Sequence, residues 1–128
     1  KNAEFTPNDL KSSIRTCFQN KNFKALLKYQ VDNKKAIKIN TEFKLVDTIT
    51  VNNIVCYINP RNKEAFTKPD AFYTFAVDIK YPASGQALVT IKNEETPSSY
   101  KTRFGNELHY EYGGGAWKLT KQQSYIDN

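Results

Sequence analysis

His109 is the chain's only histidine, and Glu107 and Glu111 stand two residues to either side of it. On a strand that spacing puts all three side chains on one face. Two carboxylates there could orient an imidazole or help to hold a metal. The same pattern also suits a polar sheet face, whose carboxylates meet Lys101, Arg103 or Lys118 across strands. One histidine with two acids lacks the further ligand that a metal site usually has, so no metal or cofactor is expected. Asp78 lies in the middle of an aromatic-rich run. In a cone-shaped sheet such a carboxylate could line a pocket, where desolvation would raise its pKa towards general-base work. Thr74 and Lys80 share its face, which points instead to an outer, half-wet surface. Asp78 and His109 are the pocket candidates if the protein is an enzyme.

Other catalytic patterns are missing from the sequence. Gly113-Gly114-Gly115 lacks the Lys-Ser/Thr that closes a phosphate loop, and reads as a tight turn before Trp117. No serine sits in a nucleophile elbow, and there is no paired-cysteine zinc spacing. Cys17 and Cys56 are too few for a disulfide framework; they read as small buried apolar residues or as one bridge in an oxidising compartment. Asp47 falls in register with Leu45 and Ile49. Either a bulge turns it outwards or it belongs to a buried polar network.

The charge is unevenly placed. Residues 1–44 hold ten Lys/Arg and four Asp/Glu, whereas residues 45–128 hold nine of each. The whole net charge of +6 therefore lies in the first third. Lys11, Arg15, Lys21, Lys24, Lys28, Lys34, Lys35 and Lys38 read first as a solvated basic helical face, and this surface is also the main binding candidate, for an acidic protein, an anionic membrane or nucleic acid. Nucleic-acid modules interleave exposed aromatics with such charge. Here Phe18 and Phe23 read as core and only Tyr29 as free, which disfavours nucleic acid.

These residues need elements to position them. Thr6-Pro7-Asn8-Asp9 supplies an N-cap, a proline at the first helical position and an acid in the first turn. Leu10, Ile14, Cys17 and Phe18 follow as one helical stripe ending near Asn20. A second helix is predicted from Asn22, with Phe23, Leu26 and Leu27 inward and Lys21, Lys24 and Lys28 outward. Residues 31–42 read as a short third helix or a loop. From Phe43 the period becomes two: Phe43, Leu45, Ile49 and Val51, a turn at Asn52-Asn53, then Ile54, Cys56 and Ile58. A polar loop covers 59–71. Tyr73, Phe75, Val77, Ile79 and Tyr81 mark the clearest strand, followed by Ala87–Ile91. Tyr100–Arg103 and Leu108–Tyr112 are strands around Gly105-Asn106, which is either a turn or a bulge. A last strand runs over Ala116–Leu119, and the tail from Lys121 is polar. The prediction is one α+β domain spanning 1–128. Two or three N-terminal helices, about 7–38, pack on one curved antiparallel sheet of five to seven strands, about 43–120.

The Leu10/Ile14/Phe18 stripe, the Phe72–Tyr81 and Ala87–Ile91 strands and the Tyr110–Trp117 segment together resemble the nuclear-transport-factor-two-like superfamily. That resemblance implies a cone-shaped, cystatin-like α+β fold. Its enzymes, isomerases and dehydratases among them, place acids or histidines inside the cone. This chain shows no matching pair, so no catalytic residue is carried over.

The chain holds no methionine and begins at Lys1, which reads as the end left after a leader or anchor was removed, or as a piece of a longer protein. The expectation is an exported or cell-envelope protein: periplasmic, at the cell surface or secreted. It would be a non-catalytic binding module using a concave sheet surface or the basic helical face to engage a protein or other macromolecule, an acidic one included. The rivals are a small cone-pocket enzyme and a nucleic-acid binder acting through the helices. No window approaches the roughly 18 apolar residues of a membrane span, so a membrane is reached only through an anchor outside this sequence. The aromatic strands could equally join two copies of the chain.

Overall fold

The computed structural model describes residues 3–25, 36–61, 72–94 and 103–127. Helix α1 spans Pro7–Gln19 and begins as expected: the Thr6 backbone N–H donates to Asp9 Oδ2 at 2.8 Å, and the Asp9 N–H donates to Thr6 Oγ1 at 3.2 Å. This reciprocal pair satisfies two of the N–H groups that a helix start leaves open. Leu10, Ile14, Cys17 and Phe18 are buried on one face, with Ser13 between them. Asn20 ends α1 and starts the next helical stretch, residues 21–25, by accepting the Phe23 N–H at 3.1 Å on Oδ1. Leu26, Leu27 and residues 31–35, the first part of the 31–42 stretch read as a short third helix or a loop, lie outside the described residues.

Seven strands form one sheet: β1 (Ala36–Thr41), β2 (Asp47–Val51), β3 (Ile54–Ile58), β4 (Phe72–Lys80), β5 (Gln86–Asn93), β6 (Arg103–Gly113) and β7 (Ala116–Asp127). Their order is β2-β3-β1-β4-β5-β6-β7. The sheet curls around α1, and the core lies between them. The α+β class and the N-terminal helices agree with the sequence. The purely antiparallel sheet does not. Residues 36–41 are neither helix nor loop but a strand, parallel to both β3 and β4. The physical reason is burial: Ala36, Ile37 and Ile39 are all buried, as befits a strand with neighbours on both sides, while Lys38 and Asn40 alternate to the other face. The remaining pairs, β2–β3 and β4 through β7, are antiparallel.

Phenyl rings join the layers. Phe18 lies 5.4 Å from Phe23 and 5.2 Å from Phe75, and Phe23 lies 5.5 Å from Phe104. Both helices, β4 and β6 thus meet in one cluster. Tyr73, Phe75 and Val77 are buried with it. Tyr81, at the end of that row, is partly exposed and accepts the Phe5 N–H on Oη.

The turns follow residue chemistry. Asn52 and Asn53 take the predicted turn at φ 52° and 66°. Asn52 Nδ2 also donates to the Phe18 carbonyl at 3.2 Å, docking the hairpin on the end of α1. Gly114 and Gly115 turn β6 into β7 at φ 62° and 81°. Gly105-Asn106 is neither a turn nor a bulge. It continues a single β6 ladder, and Tyr125 of β7 packs where a side chain at Gly105 would project. The one register shift of β6–β7 falls beside His109/Tyr110, where Thr120 is the extra residue and its Oγ1 donates to the His109 carbonyl at 3.1 Å.

Asn59 closes the parallel segment. At φ 46° its N–H donates to the Ile39 carbonyl at 2.8 Å. Its Oδ1 accepts the Thr41 N–H at 3.0 Å, and its Nδ2 donates to the Phe43 and Leu45 carbonyls, each at 3.0 Å. Asn59→Ala removes three hydrogen bonds and leaves a left-handed backbone position without its amide. The expected loss is roughly 2 kcal/mol, read as a lower urea midpoint at unchanged slope.

Candidate functional site

Beneath α1 the concave side of the sheet is packed and offers no docking surface. Helix α1 and the phenyl cluster fill it, and the buried residues facing it are almost all apolar. A concave docking surface is therefore ruled out along the length covered by α1.

The two pocket candidates lie on the convex side. Asp78 is exposed in β4, with Lys80 Nζ at 3.9 Å. It borders a shallow depression of about 160 Å³ with Thr41, Glu42, Phe43 and Tyr81, at the point where β1 ends beside β4. His109 is half-buried in β6, with Nε2 covered and 3.6 Å from Glu107 Oε2. Glu111 is exposed. Thr90 of β5 stands between Asp78 and Glu107, and Leu88 between Lys80 and His109. An intervening strand thus keeps the candidates about 10 Å or more apart, and His109 does not line the depression beside Asp78. No group of three His, Cys, Asp or Glu positioned for a metal occurs among them either.

The basic surface is only partly assembled. Lys11 is ion-paired with Asp47 across the α1–β2 contact. Asp47 therefore keeps the inward register of its strand without a bulge and meets the helix. Its carboxyl is held below the ordinary aspartate range, first by the Lys11 hydrogen bond, then by the Thr48 N–H. Arg15, Lys21 and Lys24 are exposed. Lys38 projects from β1 on the opposite side of the sheet from the helices. Lys28, Lys34 and Lys35 lie outside the described residues.

Cys17 and Cys56 are buried free thiols in the same core. Desolvation pushes the Cys56 thiol up to about 12 and raises that of Cys17 well above its usual range. Near neutral pH both remain thiols, so neither is a nucleophile.

Sequence reasoning missed the β7 margin. The tail after Lys121 reads as polar, yet the strand continues to Asp127. Thr120, the extra residue, breaks the alternation and hides the period. On the concave side β7 presents Trp117, Leu119, Gln122, Ser124 and Ile126, opposite Tyr112, Tyr110, Leu108, Asn106 and Phe104. The middle pair is polar and secured: Gln122 Nε2 donates to Asn106 Oδ1 at 2.9 Å and lies 3.5 Å from the Thr16 carbonyl, while Asn106 Nδ2 donates to Ser124 Oγ at 2.9 Å. Asn106 is wholly buried. The apolar residues flanking this network are not covered: Leu119 is 41% exposed and Ile126 55%. Beside Ile126 a groove of about 390 Å³ separates β7 from the second helical stretch, lined by Asn22, Ala25, Ser124, Tyr125 and Ile126. At the other end Trp117 lies 5.2 Å from Tyr112 and 6.2 Å from Tyr81, both partly exposed.

Fold and surface together define a single-sheet α+β domain with a filled interior and an uncovered β7 margin. Set against protein-family models, curated proteins and solved structures, the chain finds no match.

Two outcomes follow from this geometry. Asp47, with its folded pKa depressed, adds stability above its ordinary pKa near 4 and loses it as pH falls through the lowered value. Lys11→Gln should flatten that acid limb of the stability profile, measured by urea unfolding from pH 6 down to pH 2. The native thiols should resist a maleimide at pH 7 and react at both positions once the chain is unfolded. Fast native labelling would contradict their burial.

Proposed function

We propose that this protein is a non-catalytic module that binds another protein through the β7 margin, and that it works in an exported or cell-envelope setting. One observation carries the binding reading: inward-facing apolar residues of an edge strand, Leu119 and Ile126, stay uncovered while the concave side beneath α1 is packed. Apolar surface of this kind at a sheet margin marks interaction. A cone-pocket enzyme finds less support, because Asp78 and His109 sit apart on the convex side. A nucleic-acid reading needs a continuous cationic surface with exposed stacking aromatics. Here Lys11 is engaged by Asp47, and Lys38 faces away. The helix-first order and the curled sheet remain compatible with the cone of the nuclear-transport-factor-two-like superfamily, and we keep that kinship as part of the proposal.

Affinity capture from an extract of the source organism tests the reading. The wild-type chain should retain a discrete protein. The Leu119→Asp/Ile126→Asp double variant should lose it, and Asp78→Asn and His109→Ala should keep it. Retention unaffected by the double variant, or its loss with Asp78→Asn, overturns the proposal. Fractionation of cells expressing the full-length gene tests the compartment, and a purely cytoplasmic location removes that part.

A further inference from the structure

Taking protein binding at the β7 margin as given, we infer the kind of segment that binds there: an extended, acidic stretch of a partner chain that adds to β7 as an eighth strand and sets one apolar side chain in the groove beside Ile126.

The first support is backbone chemistry. β2 and β7 are the two edges of the sheet. β2 is five residues long and tied to α1 through Asp47 and Lys11. β7 is twelve residues long, and among the described residues no strand pairs with its outer side. The outer side of an edge strand can be extended as a ladder only by another extended backbone. A nucleic acid cannot do so.

The second is shape. Side chains of an added strand alternate between the faces of the sheet. Those turned to the concave side would cover Leu119 and Ile126, and one would enter the groove between Ile126 and the helical stretch carrying Asn22 and Ala25. That volume is sufficient for a leucine- or phenylalanine-sized group.

The third is charge. The helical stretch on one side of the groove holds exposed Lys21 and Lys24, and β7 holds exposed Lys118 and Lys121. From Ala116 to Ile126 there is no acid at all, and none from Lys21 to Ala25. Glu111 stands opposite Lys118, whereas Lys121 stands opposite His109. Two β7 edges brought together would set these lysines against one another, and the bulge at Thr120 further disfavours such self-pairing. An acidic segment meets the same lysines favourably.

The test uses the described chain and two short capped peptides, one alternating Glu and Val around a central Leu, the other alternating Lys and Val around the same Leu. Two-dimensional NMR with amide hydrogen exchange reads the site, and sedimentation reads oligomeric state. The Glu peptide should slow exchange of β7 amides. Its affinity should drop about tenfold or more with Ile126→Asp, and several-fold with Lys21→Glu/Lys24→Glu or on raising salt. Both variants alter exposed side chains, and unchanged thermal melts would confirm their fold. Equal binding of the Lys peptide, protection confined to other strands, no binding at millimolar peptide, or concentration-dependent dimerisation through β7 would each overturn the inference. If the extract-derived protein is still captured in a β7-dependent way while the Glu peptide fails, the strand-addition inference falls and the binding-module reading stands. Loss of both removes the two together.

Discussion

The burial of one helical stripe constrains everything else. Leu10, Ile14, Cys17 and Phe18 must leave water together, at roughly 1.5–3 kcal/mol for each large apolar side chain. A flat sheet could cover only part of such a cylinder. The curl of the sheet, and the convergence of Phe18, Phe23, Phe75 and Phe104, follow from closing around it. Interiors packed in this way leave few voids, and this one holds only three buried polar side chains among the described residues: Ser13, Asn93 and Asn106. Each has a role in the packing. Ser13 Oγ lies 2.9 Å from Tyr110 Oη and 3.0 Å from the Asp9 carbonyl, Asn93 Oδ1 accepts the Phe104 N–H at 2.9 Å, and Asn106 binds Gln122 and Ser124.

A filled interior leaves the periphery as the surface open to a ligand among the described residues. Where a cone carries out chemistry, its polar groups point inwards, away from bulk water. In this chain the buried inward positions of β4, β5 and β6 are Tyr73, Phe75, Val77, Ala87, Val89, Ile91, Phe104, Leu108 and Tyr110, with Asn93 and Asn106 as the polar members, both hydrogen-bonded within the fold. Asp78 and His109 occupy the alternate positions and keep company with Lys80, Thr90 and Glu107 on the convex side. The sequence pattern contained that answer, because period two assigns faces unambiguously wherever a strand is unbroken.

Much of the fold was legible for the same reason. Helix α1 has a capping box, a proline and a clean stripe. The strand reading at Phe72–Tyr81 rests on nine residues of strict alternation from Tyr73 to Tyr81, and Asn52-Asn53 has the residues that a left-handed turn demands. Two elements escaped. β1 is six residues long, preceded by two lysines, and its Lys38 continues an apparently helical basic face, so local pattern favoured the wrong period until neighbours on both sides buried Ile37 and Ile39. The far half of β7 escaped, although its start over Ala116–Leu119 was read as a strand, because a single extra residue, Thr120, shifts the phase midway and leaves Lys121–Ser124 looking like a polar tail. The candidate surface was legible in part: exposed Lys21 and Lys24 stand on the helical stretch that carries Asn22 and Ala25 beside the β7 groove, whereas Lys11 is engaged by Asp47. Which cations are available depends on contacts between distant residues, and no window of sequence contains those.

The placement of β1 also bears on how the domain assembles. Its partners lie at residues 55–58 on one side and 72–77 on the other. The sheet therefore has an inner strand that is made before either of its neighbours exists. During synthesis Ile37 and Ile39 must wait, exposed, for strands that emerge later, while the β4–β7 meander can zip up through near neighbours. Loop closure over such separations slows folding. The β1 position should be the last part of the sheet to acquire order, with the unfinished β1 the segment most open to mispairing during biogenesis.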